Sequence, residues 1–250
     1  MTVIKICGIR ELEHARVAAD SGASLIGFVF VPVRREIKPD DAREIIATVR
    51  RQHEYPPATI GLFVNETADS INRTVANTGL DLVQLHGDEP PELAGKIDTP
   101  AIKALRLESG QSASGLRKLI ESYLEHCVGI LLDSHVPGHW GGTGVVGDWD
   151  IAAELASQYP IILAGGLAPE NVAAAIETVR PAVVDVSSGV ETDGRKDADK
   201  IRAFIDAAQN AAVGIDRSGA SEPLVNVIEQ ARMTGSQPNT SPSRVSSVNN

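Results

Sequence analysis

VIKICGIRELEHARVAADSG, residues 3–22, carries two periodicities in one short stretch. Its first five residues are a β-branched, mostly apolar run that ends on Cys7 and breaks at Gly8. Residues 11–20 then place Leu12, Ala15, Ala18 and Ala19 on one face at helical spacing. The pair reads as one strand followed by one helix.

The same unit recurs along the chain roughly every 25 residues, as a strand–helix fold requires. The strand candidates are VIKIC (3–7), LIGFVF (25–30), TIGLFV (59–64), LVQL (82–85), AIKA (101–104), GILLD (129–133), IILAG (161–165) and VVDVS (183–187). Helical patterns fall at 11–20, 39–51, 67–77, 90–97, 112–123, 150–157, 169–178 and 197–211. The seventh is expected to start at Pro169, with Glu170 suited to the positive end of the helix dipole. Near-continuous apolar strands alternating with helices indicate a parallel sheet covered by helices. Eight units in 250 residues indicate a single closed (β/α)8 barrel. A doubly wound open sheet would also alternate, but no GxGxxG follows the first strand, and eight repeats favour closure.

Composition narrows the function. Hydrophobic residues make up 42% and charged residues 22%, which suits a globular core. The net charge of −10 argues against a nucleic-acid surface, which needs clustered Lys and Arg. It leaves room for a small anionic ligand held by local loops. The two cysteines, Cys7 and Cys127, make no disulfide framework, and in a barrel they belong to opposite ends. No apolar run is long enough to span a membrane, and MTVIKICG lacks the features of a signal peptide. These points lead us to expect a soluble cytoplasmic protein with no membrane partner.

The active site of such a barrel lies at the C-terminal ends of the strands. Those ends here carry Cys7, Asn65, His86, Lys103, Asp133, Gly165, Gly166, Ser187, Ser188 and Gly189. A free cysteine often just fills a small apolar space. At a strand end it stands at the mouth instead, where Cys7 and Asp133 converge if both point inward. Strand alternation puts Lys5 on the face of Cys7, and Asp185 on that of Ser187. Lys5 and Asp185 either form an ion pair inside the barrel or lie close enough for the ammonium to favour the thiolate.

Two consecutive strand-end loops, LAGGL (163–167) and DVSSGVE (185–191), offer small residues whose backbone N–H groups suit a phosphate. GGTG (141–144) reads as a ligand-covering loop or a flexible turn. His135 and His139, with Asp133 and His86, raise a metal reading, but the two histidines flank Pro137 and Gly138 in a loop and lack the fixed helical geometry that i, i+4 zinc motifs use. No metal site is expected. The barrel should occupy residues 1–212. The extension, 213–250, should hold a helix over 221–233, with Leu224, Val227, Ile228 and Ala231 on one face, and then a mobile Ser/Pro/Asn-rich tail.

Several motifs together resemble one family. KICGI (5–9), GLFVN (61–65), QLHGDE (84–89), IKA (102–104), ILLDS (130–134), GGTG, LAGGL followed by PENV (169–172), and VDVSSGVE (184–191) followed by Gly194, Lys196 and Asp197 stand in the order seen in N-(5'-phosphoribosyl)anthranilate isomerases. The resemblance covers residues 3–211. It implies a cofactor-free Amadori rearrangement of phosphoribosylanthranilate to the 1-deoxyribulose phosphate product, a step of tryptophan biosynthesis.

The resemblance also implies roles for particular residues. Cys7 is the base that takes the C2 proton, and Asp133 is the acid that protonates the furanose oxygen. Gly165, Gly166, Asp185, Ser187, Ser188 and Gly189 are expected to bind the substrate, which is a phosphorylated small molecule. The family's arginine for the anthranilate carboxylate maps onto Arg35, with Arg34 as the alternative. The segment VPVRREIKPDD (31–41) is one residue shorter than usual and has Glu36 where an aromatic is common. A monomer or a homodimer is expected.

Two other readings remain open from the residues. One is another phosphosugar isomerase or epimerase; the aminoimidazole ribotide isomerases place an aspartate where this chain has Cys7. The other is a non-catalytic phosphate-binding barrel, which would have no use for a thiol opposite a carboxylic acid.

Overall fold

Eight runs of residues buried on both faces pair edge to edge until the last meets the first. The structure, a computed structural model, describes residues 3–107, 111–133, 149–213 and 219–235. The strands are β1 (Val3–Cys7), β2 (Leu25–Val29), β3 (Ala58–Phe63), β4 (Leu82–Leu85), β5 (Ala101–Arg106), β6 (Gly129–Asp133), β7 (Ile161–Ala164) and β8 (Val183–Val186). They are parallel and form a closed barrel in sequence order, with β8 returning to β1. This is the expected (β/α)8 architecture.

The helices around it are α1 (Leu12–Asp20), α2 (Pro39–Gln52), α3 (Ala68–Thr78), α4 (Pro91–Ala94), α5 (Ala113–Leu124), α6 (Trp149–Ala156), α7 (Val172–Val179) and α8 (Ala198–Ala211). Local chemistry starts several of them. Thr67 Oγ1 accepts from Ser70 N at the head of α3, and Asp197 accepts from Asp199 N and Lys200 N at the head of α8. Pro39 opens α2, where its missing N–H costs nothing.

Alternation sorts the strand residues into two compartments. Ile4, Ile6, Ile26, Phe28, Val83, Leu85, Ile130, Leu132 and Leu163 face outward and pack under the helices. Val3, Leu25, Ala58, Ile60, Leu82, Ile102, Leu131, Ile162 and Val183 face inward and fill the lower barrel. Each strand therefore reads as continuously apolar, because both of its faces are covered.

Most element bounds shift by a residue or two from the sequence reading, and the helix read over 90–97 shortens to α4, Pro91–Ala94; two of the differences have a visible cause. β5 runs on through Leu105 and Arg106, which pair with Leu132 and Asp133 of β6. α7 starts at Val172, not Pro169, because Asn171 ties the preceding turn. Its Oδ1 accepts from Ala168 N at 2.8 Å, and its Nδ2 donates to Gly166 O at 3.0 Å.

Beyond α8 the extension returns to the barrel as α9 (Glu222–Gly235). Leu224 and Ile228, one helical turn apart, are fully buried among the inward residues at the lower ends of the strands. Arg232 Nε donates to Pro56 O at 3.3 Å. α9 thus closes the floor of the barrel, at the end opposite the strand C-termini. Burying each of these two side chains contributes about 1.5–3 kcal/mol. The expected mobile tail lies outside the described residues.

Candidate active site

The inward positions of each strand stack in layers, and above the apolar floor the next layer is polar. Lys5 pairs in register with Asp185 across β1 and β8, and Lys5 Nζ reaches Asp185 Oδ2 at 2.9 Å. It also crosses the barrel to donate to Gln84 Oε1 of β4 at 2.7 Å. Both sequence readings of this pair hold at once: the ion pair is internal, and it sits beneath the thiol. Burial alone would pull the Lys5 ammonium down, but Asp185 and Cys7 hold it above the ordinary lysine value.

Cys7 stands one layer higher, facing Gly27 in the β1–β2 register. Its thiol is buried yet lines the cavity at the mouth. Burial pushes the thiol above its ordinary value, while Lys5 and Lys196 pull the other way without winning. Lys5 thus favours the thiolate, as its place beneath Cys7 suggests, but burial outweighs it. Cys127, before β6, is likewise free and buried, and is pushed up to about 11 by burial. Past Cys7, the N–H groups of Gly8 and Ile9 both donate to Gly27 O at 2.9 Å, which turns the chain off the strand.

Asp133 ends β6 and opens into the same cavity. Its Oδ2 lies 4.0 Å from Nε2 of His86, which follows β4 on the inward face. His86 is held in turn by Gln84, with Gln84 Nε2 2.8 Å from His86 Nδ1. The loop carrying His86 is pinned by Glu89, which is buried and accepts from Asn65 N at 2.7 Å and from Lys103 Nζ at 2.6 Å. The motif fragments QLHGDE and IKA thus meet as one network.

The cationic wall lies on the other side. Glu191 accepts Arg35 Nε at 2.7 Å and Arg35 Nη2 at 2.9 Å, a bidentate pair. It also accepts Arg34 Nη2 at 2.7 Å and Lys196 Nζ at 3.0 Å. Burial would raise the Glu191 carboxyl, but Arg35 and Lys196 bring it down to about 2. One carboxylate against three cations leaves this wall net positive, a local anion site on an acidic protein. Arg34 and Arg35 both line the cavity, but the Arg34 side chain is 54% exposed against 26% for Arg35. Glu36 is exposed and does not line the cavity, so the acid that engages these arginines is Glu191.

Between these walls stand the two small-residue loops. Gly165 and Gly166 have φ of +87° and +67°, a left-handed pair that side chains would strain. They line the cavity together with Ser187 and Ser188, and Ser187 Oγ donates to Cys7 O at 3.3 Å. Gly189 sits behind them, pressed against the Leu167 carbonyl, where a Cβ would not fit. Asp185 Oδ1 is buried with no hydrogen-bond partner among the described residues, and Asp185 lines the cavity.

Cys7, Asp133, Arg35, Gly165, Gly166, Asp185, Ser187 and Ser188 therefore border one cavity of about 950 Å³. The sequence reading assigned no chemistry to Gln84 or Glu191, and considered His86 only as a metal ligand. Their one signal was their place in the quoted motifs. GGTG, Ser134, His135 and His139 lie outside the described residues. Among the described residues, no three His, Cys, Asp or Glu side chains are grouped to hold a metal ion.

Comparison with known proteins follows the geometry. The family described as "PRAI: N-(5'phosphoribosyl)anthranilate (PRA) isomerase" matches residues 4–207. An N-(5'-phosphoribosyl)anthranilate isomerase of Roseiflexus sp. (strain RS-1) is 48% identical over 217 residues, covering 85% of this chain and all of that protein. The crystal structure of the phosphoribosyl anthranilate isomerase from Thermotoga maritima superposes with a TM-score of 0.73 at 40% identity, over 84% of this chain and all of that one. A further isomerase structure, in complex with reduced 1-(o-carboxyphenylamino)-1-deoxyribulose 5-phosphate, matches with a TM-score of 0.70 at 38% identity, with the same coverage.

Proposed function

The chain belongs to the N-(5'-phosphoribosyl)anthranilate isomerase family, and from that premise we propose that it rearranges N-(5-phosphoribosyl)anthranilate to 1-(2-carboxyphenylamino)-1-deoxyribulose 5-phosphate with Cys7 as base and Asp133 as acid. The observation that carries this reading is that both residues line one cavity, from β1 and from β6, which lie apart in the barrel.

Each proton movement has a group to perform it. Asp133 gives its proton to the furanose ring oxygen, and the C1–O bond breaks. The nitrogen lone pair supplies the electrons, which leaves an iminium. That positive charge acidifies C2–H, and the Cys7 thiolate removes the proton to give the enolamine, which tautomerises to the ketone. The iminium also favours the thiolate that burial disfavours. Each proton transfer by a placed side chain is worth about 10²–10⁴-fold.

The rest of the cavity supports binding of this substrate. Arg35, the more buried arginine, faces the anthranilate carboxylate beside Glu191. The backbone of Gly165, Gly166, Ser188 and Gly189, with Ser187, receives the phosphate. Asp185 Oδ1 accepts from a ribose hydroxyl. The reaction needs no metal or organic cofactor. A similar isomerase from Thermotoga maritima is described as dimeric, with monomers generated from it, which supports a monomer or a homodimer as the working form. No helix among the described residues is long and apolar enough to cross a membrane, in keeping with a cytoplasmic enzyme of aromatic amino-acid biosynthesis.

The test is a fluorescence assay of anthranilate-linked substrate consumption by the purified protein. Wild type should turn over, and Cys7→Ser and Asp133→Asn should each lose about 10²–10⁴-fold in kcat while staying folded. Near wild-type rates in either variant would overturn its assignment.

A further inference from the structure

From Lys5, beneath the thiol, a chain of polar contacts runs to Asp133, and proton transfer by Cys7 and Asp133 does not itself call for it. Lys5 Nζ donates to Gln84 Oε1 at 2.7 Å, Gln84 Nε2 lies 2.8 Å from His86 Nδ1, and His86 Nε2 lies 4.0 Å from Asp133 Oδ2.

Donor and acceptor rules fix the direction of every link. An ammonium can only donate, so the Gln84 atom that meets Lys5 is the carbonyl oxygen, and the amide nitrogen is left for His86. That nitrogen can only donate as well, so His86 Nδ1 must offer its lone pair. The single ring proton then resides on Nε2, facing the Asp133 carboxyl. An imidazolium would set Nδ1–H against the amide hydrogens. Burial opposes it too, holding His86 below the ordinary histidine value against the pull of Asp133.

We propose that Gln84 and His86 are positioning residues for the acid: Gln84, oriented by Lys5, locks His86 as the neutral Nε2–H tautomer, and that N–H closes on the Asp133 carboxylate as its proton leaves. This deepens the reading of Asp133 as the acid and rests on it. Neutrality is the essential property. A positive ring at this distance would favour an ionised Asp133 before substrate arrives and so remove the acid. A neutral N–H stabilises the carboxylate only as charge develops on it, and the 4.0 Å gap is the kind that tightens when substrate is bound. No proton leaves His86 in this step; the proton transferred is that of Asp133.

The device also explains why Lys5 reaches across the barrel when Asp185 already neutralises it. One ammonium sits beneath the thiol and, through one amide, sets the ring beside the acid.

The experiment is a long-range ¹H–¹⁵N spectrum of the ¹⁵N-histidine-labelled enzyme, with His86 assigned by its loss in His86→Gln. The wild-type ring should show a protonated Nε2 and an unprotonated Nδ1; a protonated Nδ1 would overturn the proposal. Gln84→Glu keeps the shape and the Lys5 contact but presents an oxygen to Nδ1. It should move the ring proton to Nδ1 and lower kcat by about 10–100-fold, the range for losing a group that orients a reactive side chain, with KM within about twofold. A shifted tautomer with wild-type kcat would defeat the idea, as would reduced kcat with the ring unchanged. Failure of the acid reading shows separately, as an Asp133→Asn enzyme that keeps its rate while the wild-type ring remains Nε2–H.

Discussion

Gly27 faces Cys7 in the β1–β2 register, and a Cβ built there would lie 3.0 Å from the thiol sulfur, 3.2 Å from Cys7 Cα and 3.3 Å from Lys5 Cε. The missing side chain on β2 is thus what lets the base and the lysine beneath it occupy their layers. Gly27→Ala should cost about 1–3 kcal/mol of stability through overpacking. It should also lower kcat, because the displaced group is the reactive one. Thermal unfolding alongside turnover checks both, and an alanine enzyme unchanged in each would show that the sulfur is free to shift.

The protonation of Cys7 gives a pH signature. Burial holds the thiol above its ordinary value, so the thiolate fraction, and with it the rate of Cys7 alkylation by iodoacetamide, should climb about tenfold per pH unit. The climb should continue past the ordinary thiol value of about 8.5 without levelling. Lys5→Met removes a cation that favours the thiolate and should slow alkylation further at any fixed pH. A Cys127→Ala background isolates the signal. A plateau below pH 8 would contradict the burial argument.

Arg34 and Arg35 should separate in binding. Arg35 makes the bidentate contact with Glu191 from a more buried position, whereas Arg34 is more than half exposed. Arg35→Ala should raise KM by about 10–100-fold, as expected when a charged hydrogen-bonding partner worth about 1.5–3 kcal/mol is lost. Arg34→Ala should change it by less than about fivefold, as exposed ion pairs contribute little. Steady-state kinetics on both variants decides. The Glu191 anchor stays ionised through mild acid; its contribution to stability is full above the ordinary carboxyl range and fades as pH falls from there to about 2.

α9 should matter for stability and not for chemistry. Leu224→Ala or Ile228→Ala empties a fully buried seat on the floor and should cost about 2–5 kcal/mol. Turnover at 25 °C should be unchanged, because the cavity opens at the other end. Calorimetry paired with the fluorescence assay tests this, and a variant with unaltered melting would show that α9 is not seated in solution.

The sequence exposed the barrel because each strand is covered on both faces, so apolar runs stand out from amphipathic helices. It hid what depends on side chains meeting across the fold. Pro169 reads as the head of α7, but the bonds of Asn171 to Ala168 and Gly166, which hold that turn out of the helix, leave no apolar pattern. Leu105 and Arg106 belong to β5 through pairing with β6, a relation that a polar strand end does not announce. Cys7 and Asp133 were legible as strand-end residues. The partner of Arg35, Glu191, stands 156 positions away, and no local pattern links them. The amphipathic face of α9 was visible, whereas its seat was not.

The polar layer has one more consequence. Lys5, Gln84 and Asp185 cross the barrel's width above Val3, Ile60, Leu131 and Ile162, while Leu224 and Ile228 close the space from below. The barrel is therefore divided in two, an open cavity at the mouth above a charged partition and a packed apolar floor beneath it. A void opened in that floor would fill neither with solvent from the mouth nor with substrate.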